Sequence, residues 1–280
     1  MPIRSWLFTP ATRPDRFPNA AANGADVLII DLEDSVAAGD KMAARTSALD
    51  FVPRLAWRTG AAAPSVICAL RINGLDTRPG LADLYTLLGC AADPMYLVVP
   101  KIDSPGHLQI IDRLLASAGK SARLIAQIES AQGLAQAEAI AAATPRLAGL
   151  MFGTADMAAD LGSDMTWNSL LYARSRVIAA AALRGLFAID APFFAIKDIP
   201  RLVTETANAV ALGFSGKCAI HPSQVAVINA AWVPSGAEIS NARAVLEENN
   251  KGVGVVNGIM VDEAVARRAR RVLARARPQV

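Results

Sequence analysis

Charged side chains recur in one setting along this 280-residue chain, directly after short apolar runs. VLII (Val27 to Ile30) leads into Asp31, Glu33 and Asp34, VICAL (Val66 to Leu70) into Arg71, and YLVV (Tyr96 to Val99) into Pro100 and Lys101. LIAQI (Leu124 to Ile128) leads into Glu129, LAGLMFG (Leu147 to Gly153) into Asp156, and LFAI (Leu186 to Ile189) into Asp190. Two carboxylates on one rim are hard oxygen ligands of the kind Mg²⁺ takes, with water and substrate completing its shell. Glu129 and Asp156 are the candidates for that pair. A guanidinium such as Arg71 forks onto a carboxylate or carbonyl through two parallel hydrogen bonds. Plainer readings stand beside these. Acids after strands also cap helices, and Arg71 could simply be an ion-pair partner for Asp31 or Glu33.

For Glu129 and Asp156 to meet, their strands must be parallel. The segment between them, Ala131 to Ala143, is alanine-rich and favours helix. A parallel β-α-β unit brings both strand C-termini to one face. The same beat starts at SWLF (Ser5 to Phe8) and ends at KCAI (Lys217 to Ile220), which leads into His221. Eight strands with intervening helices match a (β/α)8 TIM barrel, whose active sites lie at the C-terminal strand ends. Their continuous apolar character fits strands covered on both faces. A doubly wound sheet usually carries a glycine-rich first turn, and none follows SWLF. After His221 the beat stops. Helices are expected over 223–231 and 237–249, then a glycine-containing loop over 249–258 and a last helix from about Val261. Residues 1–231 therefore read as barrel and 232–280 as a helical extension, of the kind that can form a lid.

With 53% hydrophobic and 19% charged residues, the chain has ample apolar content for a large core and is unlike disordered segments. The net charge is only +3, and the basic residues gather in ARRARRVLARAR (Ala266 to Arg277). Without interleaved aromatics this run reads as a solvated helix face rather than a nucleic-acid surface. Cys68, Cys90 and Cys218 lack metal-ligand spacing and imply a reducing cytoplasm without disulfides. No signal-peptide pattern opens the chain, and the apolar runs fall short of a membrane span. Arg13, Arg16 and Lys41 could bind phosphate near helix starts or be solvated surface. His221 could be a general base or a helix cap, and His107 reads as a helix-face histidine. No G-x-S-x-G motif or Cys-His pairing suggests a nucleophile.

In order and spacing, RSWLFTPATRPDRF, GADVLIIDLEDSVAAGDK, LRINGLDT, VVPKID, IAQIESAQGL, LMFGTADMAADLG and GKCAIHPSQ resemble the citrate lyase beta-subunit-like and malyl-CoA lyase group of the HpcH/HpaI aldolase/citrate lyase superfamily. The resemblance covers nearly the whole chain. It implies a barrel and a Mg²⁺-dependent carbon–carbon lyase acting on a coenzyme A thioester. It implies that Glu129 and Asp156 hold the metal, that Arg71 and Glu129 contact the acid end of the substrate, and that the opening segment meets coenzyme A, for which Arg13 and Lys41 are the candidate contacts. In the malyl-CoA and citramalyl-CoA branch, an aspartate in an M-I-D segment reaches a neighbouring subunit's site. NGIMVDEAV places Asp262 there, with valine for isoleucine and Ala264 where a proline is usual. The family is commonly a homotrimer or hexamer, and citrate lyase beta-subunits proper also work with an acyl carrier protein.

Retro-Claisen cleavage of a 3-hydroxyacyl thioester fits these residues. Mg²⁺ would serve as Lewis acid, Arg71 would neutralise an oxyanion, and Asp262 would shuttle the proton. Two rivals are a class II aldolase acting on free 2-keto acids and a silent acyl-CoA-binding or assembly subunit. The aldolase branch relies on a histidine near an early strand, and none precedes His107.

Overall fold

The computed structural model describes residues 3–56 and 66–276. The apolar runs form strands because branched and aromatic side chains suit a pleated surface buried on both faces. They are β1 (Ser5–Pro10), β2 (Val27–Asp31), β3 (Ile67–Arg71), β4 (Tyr96–Val99), β5 (Arg123–Ile128), β6 (Leu147–Phe152), β7 (Phe187–Asp190) and β8 (Gly216–Ala219). All pair in parallel with their sequence neighbours, and β8 closes on β1. This is the expected barrel. Alternate residues point inward, so Trp6, Val27, Ile29, Tyr96, Val98 and Met151 belong to one apolar core cluster.

Helices follow most strands and return the chain to the next one. They are α1 (Phe17–Ala21), α2 (Lys41–Ala56), α3 (Arg78–Gly89), α4 (Pro105–Ser117), α5 (Ala131–Ala135), α6 (Ala137–Ala141), α7 (Thr154–Leu161), α8 (Leu171–Ala182), α9 (Ile199–Leu212) and α10 (Val225–Ala231). Thr77, Ser104 and Ser130 accept backbone N–H bonds at the heads of α3, α4 and α5, as N-caps do. Gly162 and Gly213 end α7 and α9 with positive φ. The alanine-rich stretch after Glu129 is two short helices broken at Gln136, not the single helix that its propensity suggests.

The chain divides into two compact units, residues 3–228 and residues 229–276. The second contains α11 (Gly236–Asn249), which opens on a capping box between Ser235 and Glu238. It also contains α12 (Glu263–Ala276), whose Ala269 shares one apolar cluster with Ala242 and Val245 of α11 and with Val261 just before α12. Between them the expected loop is instead an antiparallel hairpin of β9 (Gly254–Val256) and β10 (Ile259–Val261). Asn257 and Gly258 both have positive φ, 52° and 77°, the demand of a two-residue type I′ turn. The Asn-Gly pair is its sequence signal. Arg267, Arg268, Arg270 and Arg271 are exposed along α12, the solvated face expected of the basic run. Arg277, the end of that run, lies outside the described residues. Among the described residues no helix is long and apolar enough to cross a membrane. All three cysteines are free. Burial pushes the Cys68 thiol up to about 12, which keeps it unreactive.

Candidate active site

Strand pairing brings the first charges together. Asp31 and Arg71 are register partners at the ends of β2 and β3. Arg71 Nε and Nη2 donate to the two Asp31 oxygens at 2.6 Å and 2.7 Å. Arg71 Nη1 lies 3.1 Å from Glu33 Oε2. The Phe8 ring lies 4.6 Å from the guanidinium carbon and shields it from water. Burial pushes the Asp31 carboxyl up, but the Arg71 charge and hydrogen bonds outweigh this and hold it below its usual value. Glu33 goes the other way, raised by burial despite Arg71 and Lys101 beside it. The ion-pair reading of Arg71 is thus the geometry observed. The guanidinium also lines a cavity of about 440 Å³ at the C-terminal mouth of the barrel.

Glu129 and Asp156 line that same cavity, together with Phe8, Phe152 and Phe194. Glu129 follows β5 and is buried. Its Oε1 accepts the Lys101 backbone N–H at 2.8 Å, and its Oε2 accepts from Gln127 Nε2. Gly153 leaves room for it, since a Cβ there would stand 2.5 Å from Glu129 Cβ. Asp156 lies in the first turn of α7 and is half-buried. Burial first, then the charges of Glu33 and Asp156, push the Glu129 carboxyl up to about 8. Among the described residues no group of three His, Cys, Asp or Glu side chains is placed to hold a metal. Two hard carboxylates facing a cavity fit Mg²⁺, which needs only one or two from the protein.

The other candidates lie elsewhere. Asp190 is buried in a structural cluster, 2.6 Å from Lys217 and 3.1 Å from Arg174. Arg13 is exposed and paired with Asp15 at 2.8 Å. Lys41 Nζ donates to the carbonyls of Leu32 and Glu33 and braces the acidic turn after β2. His221 caps the turn that follows it, its ring accepting from Ser223 N at 3.2 Å, which is the capping alternative. His107 lines a second cavity that also touches Glu129 and Asp156. Asp262 lies in the second unit, where its Oδ1 accepts the Val265 N–H at the head of α12. Gln127, Gly153 and the Lys101 backbone escaped the reading of the sequence. Gln127 had a signal: a polar residue inside an apolar strand, two positions before Glu129 and so on the same face.

The model of the HpcH/HpaI aldolase/citrate lyase family matches residues 4–222. The L-malyl-CoA/beta-methylmalyl-CoA lyase of Cereibacter sphaeroides is 33% identical over 96% of this chain and 92% of its own length. The crystal structure of CitE from Mycobacterium tuberculosis, in complex with magnesium, acetoacetate and coenzyme A, superposes with a TM-score of 0.83 at 35% identity, covering 98% of this chain and 97% of that one. RipC from Yersinia pestis is 52% identical with a TM-score of 0.73, covering 84% of this chain and 97% of its own. The barrel, the order of its strand-end charges and these likenesses agree, and the chain belongs to the HpcH/HpaI aldolase/citrate lyase family.

Proposed function

We propose that this protein is a Mg²⁺-dependent carbon–carbon lyase that splits a 3-hydroxyacyl-CoA thioester, of malyl, citramalyl or citryl type, into an acyl-CoA and an oxo acid. The observation that carries the reading is the facing of Glu129, Asp156 and Arg71 on one cavity at the C-terminal end of the barrel. Relatives named as malyl-CoA lyases and a CitE complex holding magnesium and coenzyme A support it.

In the reaction the 3-hydroxyl gives up its proton and becomes the carbonyl of the oxo acid. The C2–C3 bond breaks, and its electron pair passes to the thioester as an enolate that takes up a proton. Glu129 and Asp156 would hold Mg²⁺, which when bound supplies Lewis acidity to the oxygens of the hydroxy acid. Arg71, locked by Asp31 and Glu33, presents a fixed positive charge to an oxyanion and needs no reorganisation to do so. The phenyl rings of Phe8, Phe152 and Phe194 narrow the water around the reacting atoms. Residues 232–280 act as the lid of a neighbouring subunit in a homotrimer or hexamer, and Asp262 moves the proton there. Arg13 and Lys41 meet the phosphates of coenzyme A.

The experiment is incubation of the purified protein with Mg²⁺ and a panel of 3-hydroxyacyl-CoA thioesters, with chromatography for acetyl-CoA or propionyl-CoA. Cleavage of one member is expected. Coenzyme A binding without cleavage of any would favour a silent binding subunit.

A further inference from the structure

Among the described residues, two that are not glycine have positive φ: Asn257 at 52° and Lys101 at 53°. Asn257 sits in a hairpin turn that requires it. Lys101 does not. It follows Pro100 at the end of β4, and a lysine gains nothing locally from the left-handed region. Such backbone persists only where its surroundings over-determine it, and it clusters at functional sites.

Two contacts do so here. The Lys101 N–H donates to Glu129 Oε1 at 2.8 Å. Its ammonium, on a side chain 40% exposed, donates to Glu33 Oε1 at 2.7 Å and lies 3.8 Å from Asp34. One residue thus grips acids that follow two different strands. We propose that Lys101 is a positioning residue: its left-handed backbone aims an N–H at Glu129, and its ammonium on Glu33 is the tether that holds the backbone there. With Oε1 on Lys101 and Oε2 on Gln127, the Glu129 carboxylate is fixed in plane before any cation arrives. The same tether keeps Glu33 beside Arg71. The inference rests on Glu129 being a cation ligand, as the proposed function has it.

Glycine and alanine separate the tether from the backbone. Lys101→Gly loses the ammonium but adopts positive φ without steric cost, so the N–H stays aimed. Lys101→Ala loses the tether and keeps the steric cost, so residue 101 relaxes toward extended backbone and withdraws its N–H. The readout is calorimetric titration of the purified protein with Mg²⁺ alone. Lys101→Gly is expected within about threefold of the wild-type Kd and Lys101→Ala about tenfold weaker, the scale of one residue's left-handed cost. Far-UV circular dichroism checks folding. Lys101→Asn and Lys101→Ser repeat the comparison with a tolerant and an intolerant side chain, should the alanine variant not fold. Equal affinities within both pairs, with Mg²⁺ binding intact in the wild type, would overturn the inference alone. A wild type that binds no Mg²⁺ would overturn the ligand assignment and this inference with it.

Discussion

Arg71 and Asp31 stand opposite each other in register on adjacent barrel strands, joined by two hydrogen bonds of 2.6 Å and 2.7 Å. The fork presents the guanidinium to the cavity in one orientation. Lysine has no fork to match it. Arg71→Lys is expected to lower kcat/KM by about 100-fold or more, the scale of a lost oxyanion donor. Steady-state kinetics on the cleaved thioester checks this, and near-normal turnover would remove Arg71 from the mechanism.

The same pair makes stability depend on pH. The Asp31 carboxyl titrates below its ordinary value of 3.8 because the Arg71 charge outweighs the burial that pushes it up. A depressed folded pKa gives stability that is present above the unfolded value and lost as pH falls through the folded one. In urea titrations, the stability gap between wild type and Asp31→Asn should be constant above about pH 5 and shrink below about pH 4. A gap that widens in acid would contradict the pairing.

Asp156 is half-buried in the first turn of α7, at the cavity edge rather than in the core. Asp156→Ala should therefore leave the melting temperature of the metal-free protein close to wild type. It should abolish measurable Mg²⁺ binding and turnover. Full lyase activity in this variant would refute the metal assignment.

Glu129 predicts a second pH effect, of opposite sign. Its carboxyl is raised to about 8 by burial and by Glu33 and Asp156. A raised acid contributes stability to the metal-free protein at low pH that is lost as pH climbs through the folded value. Mg²⁺ needs the carboxylate, so binding must displace that proton. The rise in melting temperature on adding Mg²⁺ should be larger at about pH 8.5 than at about pH 6.5. A rise that does not change with pH would count against Glu129 as a ligand.

Gly153 tests the same carboxylate by volume. A Cβ there would stand 2.5 Å from Glu129 Cβ, so one of the two must move. Gly153→Ala is expected to weaken Mg²⁺ about tenfold or more by calorimetry, since a misplaced ligand costs affinity on the scale of a lost outer-shell partner. Unchanged affinity would show that Glu129 has slack that the packing does not suggest.

Much of the barrel was written in local pattern. Runs such as VLII and LIAQI are apolar throughout because both faces of the strand are covered, and period and length alone expose them. The strand-end positions of Glu129, Asp156 and Arg71 follow from the same beat, because parallel strands all end on one face. What the charged residues do there was not local. Asp31 and Asp190 both end a strand, yet Asp31 holds a cavity-lining guanidinium and Asp190 is locked in a buried cluster with Lys217 and Arg174. Their difference comes from partners 40 and 27 positions away, which the parallel pairing of neighbouring strands brings near. The hairpin at Asn257–Gly258 was legible in its turn residues but was read as loop, because its strands are only three residues each. The positive φ of Lys101 had no local sign at all. It exists because Glu129 and Glu33 pull on the two ends of one residue, and that geometry belongs to the folded barrel.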